Sequence, residues 1–129
     1  MKFNQIKETA LYVKNLDQTE AFYSEKLDLK VISKVGGRHV FFRVGSSVLL
    51  CFLAEKTKHD KSLPSHYGEG KLHIAFEVPH ERYSEVKEEI LSNGIEVEYE
   101  EEWGEQYQSF YFRDPDGHLL EIVPQGMWE

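Results

Sequence analysis

The stretch SFYFRDPDGHLLEIV, residues 109 to 123, does most to decide how this chain folds. It contains two apolar runs separated by the tetrapeptide Asp114-Pro115-Asp116-Gly117. Proline presets φ to about −65° and glycine accepts a positive φ, so this tetrapeptide is typical of a turn. We therefore predict two strands joined by that turn, one over residues 107–112 and one over residues 119–123.

The residues before this stretch complete a repeating pattern of elements. An apolar run predicts a strand over residues 72–78, and a stripe of apolar residues predicts an amphipathic helix over residues 81–93. Gly94 is placed to end that helix. A further strand is predicted over residues 95–100, so the second half of the chain has the order β-α-β-β-β.

The first half of the chain shows the same order. Asp17 followed by Glu20 resembles a capping box and predicts a helix that ends near Leu27. Gly36-Gly37 predicts a tight hairpin between two later strands. The predicted strands cover residues 6–13, 29–35, 39–44 and 48–53. Residues 55–70 are polar and rich in turn formers, so we predict a connector there.

The two halves also match each other residue by residue. The segment Glu8–Val13 matches His73–Val78 at an offset of 65 residues. Near the end of each half, Cys51 matches Glu121 at an offset of 70 residues. A weak repeat of about half the chain length predicts a duplicated structural module.

Length and charge limit the classes of protein to which this chain can belong. Its 129 residues suffice for one compact domain, and its net charge is −8. That charge argues against binding to nucleic acid or to an anionic membrane surface. A single cysteine excludes an internal disulfide and a multi-cysteine zinc site. With neither a signal-peptide pattern nor a long apolar run, we expect a cytoplasmic protein.

Three segments resemble a known family: TALYVKNLDQTEAFYSEKLDLKV, KLHIAFEV and SFYFRDPDGHLLEIV. They are similar to the vicinal oxygen chelate superfamily, also called the glyoxalase/bleomycin resistance/dioxygenase group. The resemblance implies an α+β fold in which two βαβββ modules form a curved mixed sheet around a cleft, with the helices on the outer face. It implies a single domain over residues 1–129, with modules at 4–54 and 71–124 and the connector at 55–70.

The resemblance also implies a divalent-metal site. Carried over by position, its ligands are Glu8, His73 and Glu121, and Cys51 stands where some members supply a further carboxylate. Glu8 replaces a histidine found in many members, which disfavours the ring-cleaving dioxygenases with their two histidines and one carboxylate. Two carboxylates and a neutral imidazole would neutralise a divalent cation, and Zn, Mn, Mg, Ni or Co would suit such ligands.

Without the resemblance, other interpretations of these residues stay open. Strand alternation puts Glu8, His73 and Glu121 on the face away from the apolar stripe, where they can be ordinary solvent-facing residues. Glu8 and His73 can also form a simple hydrogen-bonded pair. Cys51 can be a small buried apolar residue or a thiolate that faces the cleft.

Other side chains are candidates for contact with a substrate. Arg113 can bind an anionic group or form a surface salt bridge. His118 follows the turn glycine and is predicted to be a turn or surface residue. The glutamate-rich run over residues 96–105 is predicted to be a solvated strand edge. The substrate-binding candidates are Tyr12, Cys51, Trp103, Tyr111 and Arg113.

Two functions follow from these observations. The first is a metal-dependent enzyme of lyase or isomerase type that acts on a small oxygen-bearing molecule, with Glu121 or Glu8 moving a proton. The alternative is a non-catalytic protein that sequesters a small molecule, as bleomycin-resistance members do. In either case the resemblance implies a homodimer.

Overall fold

Each half of the chain forms a four-stranded mixed sheet that packs a helix against one face. The computed structural model describes residues 1–129 in two units, Met1–Gly70 and Lys71–Glu129. Both units have the predicted order β-α-β-β-β, so the predicted α+β class and its two modules are confirmed. None of the helices is both long and apolar enough to cross a membrane.

In the first unit, strand β1 lies parallel to β4, and the other strand pairs are antiparallel. The strand order is β1-β4-β3-β2. Helix α1 continues as a π-helical segment, in which the N–H of Leu27 donates to the carbonyl of Phe22, five residues earlier. The elements are β1 Glu8–Val13, α1 Leu16–Glu20, the π-helical segment Ala21–Lys26, β2 Lys30–Val35, β3 His39–Val44, β4 Ser47–Leu53 and α2 Ala54–Thr57.

The second unit repeats this arrangement with the strand order β5-β8-β7-β6. Strand β5 is parallel to β8, while β6, β7 and β8 are antiparallel neighbours. A 3₁₀ turn at His80–Arg82 precedes the helix. The elements are β5 His73–Val78, α3 Tyr83–Ser92, β6 Tyr99–Trp103, β7 Tyr107–Arg113 and β8 Leu119–Pro124.

Two predicted boundaries are wrong for local reasons. The N-cap of α1 is Asn15, whose extended backbone lets its side chain accept from the N–H of Gln18 at 3.0 Å. The strand predicted to begin at residue 95 begins at Tyr99. Ile95 belongs instead to the turn that ends α3. After Gly94, with φ +81°, the N–H of Ile95 donates to the carbonyl of Ile90.

The core of each unit lies between the sheet and its helix. In the first unit it includes Tyr23 from the π-helical segment, whose ring lies 5.4 Å from that of Phe42. In the second unit Tyr83 of α3 meets Phe110 edge-on at 5.5 Å. Side chains on the helix-facing side have no exposed surface at Leu11, Val40, Phe42, Cys51, Phe110, Phe112 and Leu120.

The register of the strands corrects the predicted role of Cys51. In the second unit Glu121 lies beside Ala75, and in the first unit the corresponding Ala10 lies beside Leu50. The counterpart of Glu121 is therefore Leu50, one residue before Cys51. Because a shift of one residue moves a side chain to the opposite face, Cys51 joins the layer of Leu11. The interpretations of Cys51 as a ligand position and as a substrate-binding residue are wrong.

This placement predicts that the thiol of Cys51 is protected in the folded protein. Labelling with a thiol reagent such as DTNB should be slower than in denaturant by on the order of 1,000-fold or more, since a fully buried thiol reacts only after the chain opens. A Lys61→Cys variant, with a second thiol at an exposed position, supplies the control. Rapid labelling of Cys51 in the native protein would contradict its place in the core.

Candidate functional site

His73 opens strand β5, and the neighbouring strand β8 fixes its ring. The Nδ1 atom lies 2.9 Å from the carbonyl oxygen of Leu119. A carbonyl oxygen can only accept, so this hydrogen bond requires the proton on Nδ1. The lone pair of a neutral imidazole then lies on Nε2, and the side chain is 48% exposed. An imidazole held in this way is prepared to bind a cation through Nε2.

Glu121 provides the second polar group of this face. Its side chain is only 8% exposed, and its Oε2 lies 3.3 Å from Nε2 of His73. A neutral ring with its proton on Nδ1 and an ionised carboxylate would direct two acceptors at each other. The pair is satisfied when the imidazole carries a second proton, when the carboxyl group is protonated, or when a cation lies against both atoms.

Polar side chains of β6 and β7 lie between the edge of the sheet and Glu121. The indole N–H of Trp103 donates to Oγ of Ser109 at 2.9 Å, and Ser109 is fully buried. Tyr111 is the cross-strand neighbour of Glu121. Burial and the nearby carboxylate of Glu121 raise the pKa of the Tyr111 hydroxyl. Trp103 and Tyr111, both predicted substrate contacts, thus lie on the same face as His73 and Glu121.

Arg113 forms a salt bridge, which is one of the two roles that the sequence left open, and its contact with a substrate stays a prediction. Its Nε and Nη2 atoms donate to the two carboxylate oxygens of Glu98 at 2.9 and 3.1 Å. Its Nη1 donates to the carbonyl of Gly117 at 3.0 Å. The side chain therefore joins the segment before β6 to the turn before β8, and the pairing with Arg113 lowers the pKa of Glu98.

Glu8, the third predicted ligand, belongs to the first unit. It is exposed at the start of β1, in register with Val48, and lies on the face opposite Leu11. The structural counterpart of Glu121 in this unit is Leu50, whose side chain has no atom that can bind a metal. Within neither unit do three or more His, Cys, Asp or Glu side chains form a group that could hold a metal ion. The participation of Glu8 stays a prediction.

Tyr12 lies in an aromatic cluster on the same face of the first unit as Glu8. The cluster consists of Tyr12, Phe41, Phe52, His66 and Tyr67. Phe52 is at its centre, with the rings of His66 and Tyr12 at 4.8 and 6.3 Å. Gly68 packs directly on the ring of Tyr12, where an added Cβ would lie 2.8 Å from a ring carbon. The predicted connector is thus packed against the sheet in this region, and Tyr12 is part of that packing.

A polar group borders this cluster and was missed in the sequence. The guanidinium of Arg38 lies 5.5 Å from the ring centre of Phe52 and pairs with Asp60 at 3.2 Å. Its Nη1 lies 2.6 Å from Nδ1 of His39, which must accept because arginine only donates. Burial and the positive charge of Arg38 lower the pKa of His39. The alternation of His39 and Phe41 on one strand face was the only signal of this group in the sequence.

His118 belongs to the predicted turn, but it is not a surface residue, since it is only 2% exposed. Its Nδ1 accepts the N–H of Leu72 at 2.9 Å, just before His73. The turn that carries it is held by Asp114, whose Oδ1 accepts the N–H groups of Asp116 and His118 at 2.9 Å each. The motif in residues 114–118 predicts the turn, whereas the contact with Leu72 depends on the pairing of β5 with β8.

The donor atoms of His73 and Glu121 fit a divalent cation. Metal–nitrogen and metal–oxygen bonds of about 2.0–2.2 Å place two neighbouring ligand atoms roughly 3.0–3.4 Å apart. The observed separation of 3.3 Å lies in that range. The bond from Nδ1 to the carbonyl of Leu119 also orients the imidazole as the outer partner of a ligating histidine does. The second unit therefore offers two adjacent ligands.

Comparison with known proteins agrees with this fold. The model of the Glyoxalase/Bleomycin resistance protein/Dioxygenase superfamily matches residues 5–122. The chain belongs to this superfamily, and the predicted membership is confirmed.

Individual relatives cover nearly the whole chain. A crystal structure of lactoylglutathione lyase from Agrobacterium tumefaciens is 31% identical, with a TM-score of 0.93 over 99% of this chain and 98% of that one. Metallothiol transferase FosB from Shouchella clausii is 26% identical over 121 residues, which are 92% of this chain and 79% of that protein. The fosfomycin resistance protein FosX from Listeria monocytogenes shares the fold at 23% identity, with a TM-score of 0.71 over 95% and 94% of the two chains.

The state of His39 predicts how stability of the first unit depends on pH. Its pKa is lowered in the folded protein, so the unfolded chain takes up the proton first as the pH falls. The stabilising contribution is complete above the unfolded pKa of about 6.5 and is lost as the pH falls toward the folded pKa. Denaturant unfolding between about pH 7 and 5 should show this decrease in the free energy of unfolding.

A His39→Asn variant tests the assignment, because its amide oxygen can still accept from Arg38 but does not titrate. This variant should lose less stability on acidification than the parent does. Replacement of the exposed His59 by Asn is the matched control and should leave the decrease unchanged. An equal effect of both substitutions would contradict the role of His39.

Proposed function

We propose that this protein is a divalent-metal-dependent enzyme of lyase or isomerase type that acts on a small oxygen-bearing molecule. The observation that carries the proposal is that His73 Nε2 lies 3.3 Å from the buried carboxylate of Glu121. At the same time the Nδ1–H group of His73 donates to the carbonyl of Leu119. A bound cation satisfies both acceptors at once. Glu8 stays the third proposed ligand, as the family resemblance implies.

When bound, the cation would act as a Lewis acid that polarises a substrate oxygen and stabilises negative charge as it develops there. The Nε2 of His73 keeps its lone pair because the Nδ1–H group donates to the carbonyl of Leu119. Three protein ligands would leave positions for one or two substrate oxygens. Zn, Mn, Mg, Ni and Co are all compatible with this mixture of imidazole and carboxylate.

Proton transfer would fall to the carboxylates. Glu121 is the better placed of the two, since burial limits its access to water. A carboxylate that takes a proton from a substrate carbon and returns it to a neighbouring atom performs an isomerisation, and one that assists loss of a group performs a lyase reaction. Glu8 is the second candidate for this role.

The names of the relatives support this class of chemistry. The 31% identical relative is a lyase, named for lactoylglutathione, and the 26% identical one is a metallothiol transferase. We propose a small-molecule substrate with at least one oxygen that can approach His73 and Glu121. Tyr111 and Trp103 would contact its non-reacting part, since both lie on that sheet face. We also propose that the protein acts as a cytoplasmic homodimer, which sedimentation at micromolar concentration would test.

The alternative function is sequestration of a small molecule without chemistry. The aromatic cluster of the first unit favours it, because stacked rings beside the Arg38–Asp60 pair are suited to binding rather than to proton transfer. This function would need neither the ligation of a metal by His73 nor a titrating Glu121. The experiment below therefore separates the two.

The proposal predicts that protein purified without a histidine tag binds about one divalent ion per chain. His73→Ala and Glu121→Gln should each weaken binding by at least about 10–100-fold, because each removes one of few ligands. Metal content by mass spectrometry and titration of the chelator-treated protein with Zn²⁺ and Co²⁺ measure the effect. Circular dichroism checks that each variant is folded.

Glu77→Gln is the matched control, since Glu77 is an exposed glutamate on the same face of the second sheet. It should bind the ions as the parent does. Failure of the parent to bind any divalent ion at micromolar concentration rejects the proposed enzyme and leaves sequestration. Tight binding that survives both His73→Ala and Glu121→Gln rejects these ligands instead.

A further inference from the structure

The start of strand β5 is held by two histidines that act in opposite directions. His118 is the residue just before β8, and its Nδ1 accepts the backbone N–H of Leu72. His73, at the start of β5, directs its own Nδ1–H to the backbone carbonyl of Leu119. Between them the N–H of Leu119 donates to the carbonyl of Leu72 at 2.8 Å. Three hydrogen bonds therefore join residues 72 and 73 to residues 118 and 119.

The two ends of this arrangement differ in exposure. The side chain of His73 is 48% exposed, whereas His118 is 2% exposed and enclosed by the turn at residues 114–118. Asp114 holds that turn through the N–H groups of Asp116 and His118. The more rigid side of the arrangement is thus the turn, and β5 is an edge strand that is attached to it.

His73 has a second possible hydrogen bond that competes with the observed one. If its proton moved to Nε2, the ring could donate to the carboxylate of Glu121 at 3.3 Å and would lose the bond to Leu119. A bond to a carboxylate is usually stronger than one to a neutral carbonyl. The observed geometry therefore needs the carbonyl of Leu119 to be held close to His73.

We propose that His118 is a positioning residue that fixes the start of β5 against β8, so that His73 keeps its proton on Nδ1 and offers Nε2 to a cation. The expected effect of His118 on metal binding rests on the proposed function. Its expected effect on the position of the His73 ring proton does not require a metal. His118 itself is 2% exposed and is not proposed as a ligand. Its action passes entirely through the backbone of residues 72 and 73.

The test uses variants that separate the acceptor from the volume of the side chain. In His118→Asn the amide oxygen is as many bonds from the backbone as Nδ1 was, so it can accept from Leu72. His118→Leu fills a similar volume without an acceptor, and His118→Gln moves the acceptor one bond further out. We expect His118→Leu and His118→Gln to weaken Zn²⁺ and Co²⁺ binding by about 10–100-fold, and His118→Asn to stay within about threefold of the parent.

A second measurement does not depend on metal. The nitrogen chemical shifts of the His73 ring in metal-free protein, recorded at about pH 8, report which nitrogen carries the proton. The parent and His118→Asn should carry it on Nδ1, whereas His118→Leu and His118→Gln should shift it toward Nε2. Full activity need not be measured in either experiment.

Ile90→Ala controls for general loss of stability, because Ile90 is buried in α3 and lies in a different part of the second unit. It should lower the free energy of unfolding without moving the His73 proton or metal affinity. If His118→Leu and His118→Gln leave the proton on Nδ1, or if Ile90→Ala moves it equally, the role of His118 is rejected. A parent that binds no metal but shows the expected proton shifts rejects the proposed function alone.

Discussion

The parallel pairing of the first and last strands of each unit is the constraint on which the site depends. Strands that are adjacent and parallel cannot be joined by a short hairpin, so a helix and two further strands separate them in the sequence. The pairing brings residues almost fifty positions apart into register, such as His73 with Leu119. Every polar contact of His73 follows from this register.

The two units share this constraint but have different chemistry at equivalent positions. In the second unit the first strand supplies His73 and the last strand supplies Glu121. The equivalent positions of the first unit are Glu8 and Leu50, of which only the glutamate can bind a cation. The first unit instead packs aromatic side chains on that face and closes them with the connector. A duplicated module has thus come to carry a polar pair in one copy and an apolar surface in the other.

Most of the fold could be predicted from the sequence because apolar periodicity and turn residues are local signals. Strand β3 was predicted with its observed bounds, and Gly94 ends α3 as expected. Errors at the ends of elements arose where one local hydrogen bond, out of several that the sequence allows, decided the boundary. Asn15 caps α1 in place of Asp17, and Ile95 is held at the end of the helix and does not begin a strand. The sequence match aligned Cys51 with Glu121, whereas the strand pairing aligns Glu121 with Leu50, one residue earlier. A match between two segments does not show which residues of neighbouring strands are paired.

The sequence by itself determined the duplicated order of elements, the superfamily, and the candidates His73 and Glu121 on the open face of their strands. Only the tertiary structure decided how those two side chains meet. It showed that Glu121 is buried, that the Leu119 carbonyl accepts a hydrogen bond from His73 Nδ1, and that His118 accepts one from the N–H of Leu72. The physical reason is that burial and hydrogen-bond direction depend on which strands are neighbours, and a periodic pattern carries no information on that choice.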